Sequence, residues 1–467
     1  MKQIRLKHIR LKQILILLVF LVIPSLSMAE EEHLPLAAGI CVNKAQLLFQ
    51  NGEIPKAVDV LEKFTAKQAG LDKQQIQKKG YAHYYIYFLL GNYYLTLAQE
   101  TEGKQNKIFS RNAMTNFQKA VLQNPTFCAA WLNLAKTRYE AGLFAQAAKA
   151  FEKGYQTSET QKPVHLYYAA VCNFHANDPA TALTVFNRLI KLHPDKVTLA
   201  WKETLVHILF ALERYRDALP WLEQLASNSK KEKQKKWQEI LLHQYMSLNM
   251  NKKALEYADF LTRTDTLEPK WWKALSHIHL GNNQFKQGLS ALVIYGYLTP
   301  MTRKELLLAA DLYLSLDVPA KAASFYTAAL KEKQDQKNIA KISRAFTMAY
   351  DQDKALEWID KGLSACQDIK LLRIKAQILY NKKEYAKAAD AYETLAKKML
   401  EQKTASKNDT PGQVWLMLGY CAMNDHQLTR SQKAFLKASR YKKQQKSAQK
   451  AIALIKAMQT KKNCQVM

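Results

Sequence analysis

The side chains able to do chemistry are few and far apart. Eleven histidines and six cysteines (Cys41, Cys128, Cys172, Cys366, Cys421 and Cys464) are the candidates for metal binding or nucleophilic catalysis. His277 and His279 stand closest, in SHIHL. Residues two apart on a helix point to different faces, so they do not make half of a zinc site. No two cysteines form a C-x-x-C pair, which removes zinc-ribbon and thioredoxin-like chemistry. Cys128, Cys172 and Cys421 fall in periodic apolar stretches, where a small buried residue is the commoner role. There is no P-loop, nucleophile elbow, H-E-x-x-H or G-x-G-x-x-G. Trp272, Tyr313 and Tyr326 read as core rings rather than a cofactor box. No catalytic set, cofactor site or metal site is expected, and function has to be sought in surfaces.

Those surfaces must be carried by helices. The chain has 467 residues, of which 48% are hydrophobic, enough for a core and too many for wholesale disorder. Only 14 Gly and 12 Pro leave few turns, which argues against an all-β chain and for long helices with short connections. The clearest unit is AAWLNLAKTRYEAGLFAQAAKAFEKGY, residues 129–155. Trp131, Leu134 and Ala135 form one helical stripe, Gly142 breaks the chain, and Ala147, Phe151 and Gly154 form a second. Two short amphipathic helices packed antiparallel is the natural reading.

A small residue where two helices cross closely provides a ruler for the rest of the chain. It recurs as Ala57, Ala113, Ala147, Ala182, Ala218, Ala254, Gly288, Ala322, Ala355, Ala388 and Ser431. After the first gap the steps are 34, 35, 36, 36, 34, 34, 33, 33 and 43 residues. Four residues further on stands a large apolar group in most repeats, such as Phe117, Phe186 and Phe435, with Ala258 the exception. This pattern resembles the tetratricopeptide repeat family, whose period is ~34. The family's first-helix signature appears as Trp415, Leu418 and Gly419 in the last repeat and as Leu90, Gly91 and Tyr94 in the second. The resemblance runs from about residue 39 to residue 440. It implies an all-α, right-handed superhelical solenoid of about eleven helix-turn-helix repeats. Insertions near 96–111 and 396–412 are expected as loops at its edge. Residues 441–467 then form a basic capping helix and tail, with Ala451, Leu454, Ile455 and Met458 facing in and Lys443, Lys446 and Lys450 facing out.

The N-terminus reads as an export signal. Five basic residues precede the apolar run Ile14–Ile23, and Ser27 and Ala29 suit signal peptidase at −3 and −1. Residues 1–29 are expected to be a signal peptide cleaved after Ala29, with 30–38 a short linker. An uncleaved anchor would need ~20 apolar residues, twice this run. Cleavage removes five basic and no acidic residues, lowering the formal net charge from +29 to +24. Outside the cytoplasm the anionic partners for such a chain are membrane surfaces, envelope polymers and acidic proteins, and not nucleic acid. The excess peaks at KKEKQKK (230–236) and between Lys433 and Lys462, where ten Lys/Arg occur with no acid. A solvated face is the plainer account of both runs.

Family resemblance also implies a concave groove lined by first helices, at the second, fifth, ninth and twelfth positions of each repeat. Carried onto this chain, repeat three presents Lys136 and Tyr139, and repeat four Tyr167 and Phe174. Repeat five presents Glu203, His207 and Phe210, and repeat seven Lys273 and His277. Aromatic rings flanked by lysine suit an extended or helical peptide with acidic residues; the alternative is that they only pack against neighbouring repeats. The Lys/Asn clamp for a terminal carboxylate, found in chaperone-binding members, is not reproduced. The stretch from Trp271 to Leu330, with Val318-Pro319 before Lys321-Ala322-Ala323, is similar to exported tetratricopeptide proteins that accompany TonB–ExbB–ExbD systems of Gram-negative bacteria. That likeness implies a non-catalytic periplasmic scaffold for TonB-dependent transport. A rival reading is a surface-binding protein whose basic face holds peptidoglycan or anionic lipid.

Overall fold

A computed structural model describes residues 34–330, 336–365, 368–401 and 411–464. The expected signal peptide and the start of the linker lie outside these residues. Among the described residues every regular element is helical. No helix there is long and apolar enough to cross a membrane. The chain divides into two compact units, through Gln244 and from Tyr245 onward.

The first unit opens with α1 (Leu36–Gln50) and α2 (Ile54–Ala66), followed by a short helix α3 (Lys73–Lys79). Four further pairs follow: α4 (Tyr84–Gln99) with α5 (Gly103–Gln123), α6 (Cys128–Glu140) with α7 (Phe144–Thr157), α8 (Pro163–His175) with α9 (Pro179–Leu192), and α10 (Leu199–Ala211) with α11 (Tyr215–Asn228). The boundary between units falls inside α12 (Lys231–Ser247). The second unit continues with α13 (Asn251–Thr264), then α14 (Pro269–Gly281) with α15 (Phe285–Leu298) and α16 (Arg303–Ser315) with α17 (Pro319–Leu330). It ends with α18 (Gln336–Met348) and α19 (Gln352–Ala365), α20 (Ile369–Asn381) and α21 (Tyr385–Glu401), α22 (Pro411–Asn424) and α23 (Leu428–Ala438), and α24 (Gln445–Cys464).

All eleven small residues of the ruler are buried. Two crossings show why smallness is required. In the last pair, Ser431 of α23 donates its hydroxyl to the Gly419 carbonyl of α22 at 2.8 Å. In α14 and α15 the roles are exchanged: Ser276 donates to the Gly288 carbonyl, also at 2.8 Å. Each crossing holds one glycine and one serine, twelve residues apart, so the summed volume is kept while the side on which it sits is reversed. A Cβ at Gly419 would lie 2.5 Å from the ring of Phe435, which is fully buried.

The turns supply a second ruler. Gly52, Gly142, Asn177, Glu213, Asn249, Asn283, Asp317, Tyr350, Lys383 and His426 all have φ between 55° and 79°. Each stands five residues before a small crossing residue. The backbone reason is a tight helix ending in which the next N–H reaches back five residues, as in Leu143 to Arg138 O (2.8 Å), Asp178 to Asn173 O (3.0 Å) and Asp351 to Phe346 O (2.9 Å). That geometry demands a left-handed residue whatever its side chain, and only two of the ten are glycine.

Three expectations are corrected here. The extra residues near 96–111 are helical rather than a loop: α4 runs to Gln99, and α5 begins at Gly103 and is 21 residues long. The Asn106 side chain ties the turn by donating to Ala98 O at 2.5 Å. Of the second insertion, α21 continues to Glu401 and α22 starts at Pro411, while 402–410 lie outside the described residues. On α24, Ala448, Ala451 and Ile455 face the core, but Leu454 and Met458 are exposed by 48% and 43%. A terminal helix has neighbours on one side only, so a narrower stripe is buried than an internal helix would bury.

Candidate functional site

In the first unit the first-helix residues divide into rings that remain part-exposed and side chains that the next repeat covers. Tyr139, near the end of α6, packs edge-on against Phe144 at the start of α7 (5.3 Å between centroids) and against His175 of α8 (5.9 Å). Phe144 and His175 are 5.2 Å apart, and Phe174 adjoins His175 at 6.4 Å. Four rings from two repeats thus form one half-buried cluster, with half-buried Lys136 one turn away on α6. Burial holds the His175 imidazole below its ordinary pKa, so the cluster stays neutral near pH 7. Phe210 of α10 packs likewise on Tyr215 of α11, at 5.5 Å. Phe144, His175 and Tyr215 were missed by sequence positions alone. The signal was there: aromatic residues five apart straddle the turn at 139/144 and 210/215, and again at 380/385.

Tyr167 is not a groove residue. It is 7% exposed, its ring stacks on Trp201 at 4.8 Å with 10° between planes, and its hydroxyl meets Thr204 Oγ1 at 3.0 Å. It joins α8 to α10 as an internal contact. Glu203 and His207 of α10 are also engaged, since Lys233 of α12 reaches the Glu203 carboxylate at 3.3 Å and Trp237 lies 6.0 Å from the His207 ring. Burial and the nearby Lys236 charge lower the His207 pKa.

In the second unit, Lys273 of α14 is committed to Glu305 of α16 (2.6 Å) and lies over the Tyr295 ring at 5.3 Å. Glu305 closes a capping box with Thr302 at the start of α16, so the lysine contributes to repeat stacking. His277 is exposed on the surface of α14; desolvation by surrounding side chains and the Lys273 charge lower its pKa. His279 turns away and pairs through Nδ1 with Gln284 Oε1 at 2.7 Å. Among the described residues no group of three metal-ligating side chains comes together. Cys41, Cys128, Cys172 and Cys421 are free thiols. Burial pushes Cys172 and Cys421 up to about 12, which keeps them protonated and unreactive. The Tyr326 hydroxyl is taken by Asp311, Tyr313 packs on Phe325 at 5.3 Å, and the Trp272 indole donates to Thr266 O at 2.8 Å.

The family model for tetratricopeptide repeats matches residues 132–197, which run from α6 through α9. No curated protein sequence matches the chain. Among solved structures, the complex of Naa15/Naa10 bound to HypK-THB aligns over 91% of this chain and 78% of its own, with 11% identity and a TM-score of 0.38. A tetratricopeptide repeat protein from Parabacteroides merdae aligns over 67% of this chain and 99% of its own, at 9% identity and a TM-score of 0.28. Pseudomonas aeruginosa pilF covers 45% of this chain and 94% of its own, at 14% identity and a TM-score of 0.27. Scores this low do not define a common shape. The match at 132–197 falls on the pairs that carry the ring cluster, and over this stretch the chain is similar to tetratricopeptide repeats.

Proposed function

We propose that this protein is a non-catalytic scaffold that captures a protein segment on the ring cluster of its first unit. The observation that carries this reading is the half-buried group Tyr139, Phe144, Phe174 and His175, which joins two repeats without being closed over by a third. Aromatic anchors dominate binding energy once a partner buries them. Lys136 at its margin favours a segment with acidic residues. The scaffold works in the periplasm of a Gram-negative envelope after cleavage at Ala29, as an accessory of TonB–ExbB–ExbD energy transduction. Support for that setting comes from the signal-peptide pattern and from the similarity of residues 271–330 to exported proteins of such systems.

The test replaces Tyr139 and Phe174 together with Ala and compares capture of envelope proteins from detergent extracts, identified by mass spectrometry. Loss of a true hot spot costs ~2 kcal/mol or more, roughly thirtyfold in affinity. The variant should lose its partners, TonB-system components among them, while keeping its helical circular dichroism. The protein recovered from cells should begin at Glu30. Full-strength capture by the double variant refutes the docking site, and a retained Met1 refutes the export reading.

A further inference from the structure

We propose that the C-terminal helix α24 docks this protein on an anionic lipid surface, independently of the ring cluster. Acidic partners hold the last arginine before the C-terminal basic run, Arg430. That guanidinium is held by Asp390 (2.8 Å) and Glu393 (2.7 Å). From Lys433 to Lys462 the sequence has ten Lys/Arg and no Asp or Glu. Lys437 lies over the Trp415 ring at 4.1 Å. Lys442, Lys443, Lys446 and Lys450 are exposed and have no ion-pair partner among the described residues.

The geometry of α24 arranges these charges. Ala448, Ala451 and Ile455 pack into the core that α21, α22 and α23 share. On the outward side, Lys446, Lys450, Leu454 and Met458 follow one another at four-residue steps, and exposed Lys443 lies in the turn that precedes the helix. Successive four-residue steps drift by only ~40°, so these four side chains form one stripe about 18 Å long that winds over ~120° of the helix. Its first half is cationic and its second half apolar.

Two competing occupants fit less well. A second copy docked through the same face would set this run of cations against its own image. A soluble polyanion would satisfy the lysines but offer nothing to Leu454 and Met458. An anionic bilayer satisfies both, with headgroup phosphates for the lysines and the acyl boundary for the two apolar groups.

The experiment is co-sedimentation of the full chain with vesicles of phosphatidylcholine alone or with about 30% phosphatidylglycerol. The wild type should bind the anionic vesicles and release in 0.5 M salt, where the Debye length shrinks to about 4 Å. Each lysine near such a surface contributes about fivefold, so Lys446→Glu/Lys450→Glu should weaken partition by at least about tenfold. Leu454→Gln/Met458→Gln should weaken it severalfold at constant charge. All four residues are exposed, and circular dichroism verifies that the variants fold. Wild-type protein that ignores anionic vesicles overturns the proposal, as does a charge-reversed variant that binds them at full strength. If the Leu454/Met458 variant binds unchanged, or an acidic peptide or polyphosphate competes as well as vesicles do, the ligand is a soluble polyanion and the lipid assignment fails.

Discussion

Replacing Gly419 with Ala isolates the helix-crossing argument in one methyl group. The added Cβ would lie 2.5 Å from Cε1 and 2.6 Å from Cδ1 of Phe435. Carbon atoms prefer ~3.5–4.0 Å, so the ring or the helix must yield by roughly 1 Å. Phe435 is fully buried and packs edge-on against Tyr420 at 5.1 Å, which leaves it no room to retreat. Overpacking of this kind costs ~1–3 kcal/mol. Ala in place of Gly returns ~1 kcal/mol of helix propensity. Because the ring is enclosed, the cost sits at the upper end, and a net destabilisation of about 1–2 kcal/mol is expected. Hydrogen exchange over α22 and α23, read by mass spectrometry alongside urea unfolding, should show the loss confined to these helices and α24. Gly281→Ala is the control: nothing lies within 4 Å of its Cβ, so it should stabilise by ~0.5–1 kcal/mol. Phe435→Leu should couple to Gly419→Ala with ~1 kcal/mol of non-additivity, because the smaller side chain vacates the space the methyl needs. If Gly419→Ala is as stable as the wild type, or the two changes simply add, the crossing does not set the spacing of this repeat.

Two further outcomes follow from the turns and from buried ionisation. Tyr350→Gly should stabilise the second unit by ~0.5–1 kcal/mol in urea unfolding, because a left-handed tyrosine at φ 62° costs ~1–2 kcal/mol and glycine returns only part of that as chain entropy. His165 of α8 is held down to about 4 by desolvation first and the Lys162 charge second, and its Nδ1 is buried without a partner. Its folded pKa lies below the unfolded value, so its neutral form is the one the fold favours. The first unit should keep this stability above about pH 6.5, lose it as pH falls towards 4, and lose no more below that. His165→Gln should flatten the dependence in acid-unfolding titrations, by about 1–2 kcal/mol once screening of a part-exposed ring is allowed for.

The crossing residues were readable because the constraint on them is local and strict: where two backbones approach, only Ala, Gly or Ser fits. The turn ruler was hidden for the opposite reason. Its requirement falls on the backbone, and Glu213, Tyr350 and Lys383 meet it with side chains that carry no turn signature. Groove positions proved less transferable. Whether a fifth-position residue is open depends on the following repeat, and here Trp201 and Thr204 close over Tyr167 while Lys233 and Trp237 cover Glu203 and His207. Lys273 was legible as a cation on the first-helix face but not as one already matched by Glu305, 32 residues on. The α24 periodicity placed Leu454 and Met458 inside, since pattern alone does not tell a helix how many neighbours it has.

The mirrored serine and glycine at the two crossings bear on how such a chain can be recombined. Volume at each crossing belongs to neither helix alone; it is settled between them. Grafting α22 into the place of α14 would bring Gly419 opposite Gly288 and leave a void with no donor. The reverse graft would force Ser276 against Ser431, two hydroxyls in the space of one. Exchange of whole helix pairs keeps each complement together, so the tolerant seams for building chimeras, or for duplication in the gene, lie between pairs and not at the tight turns within them.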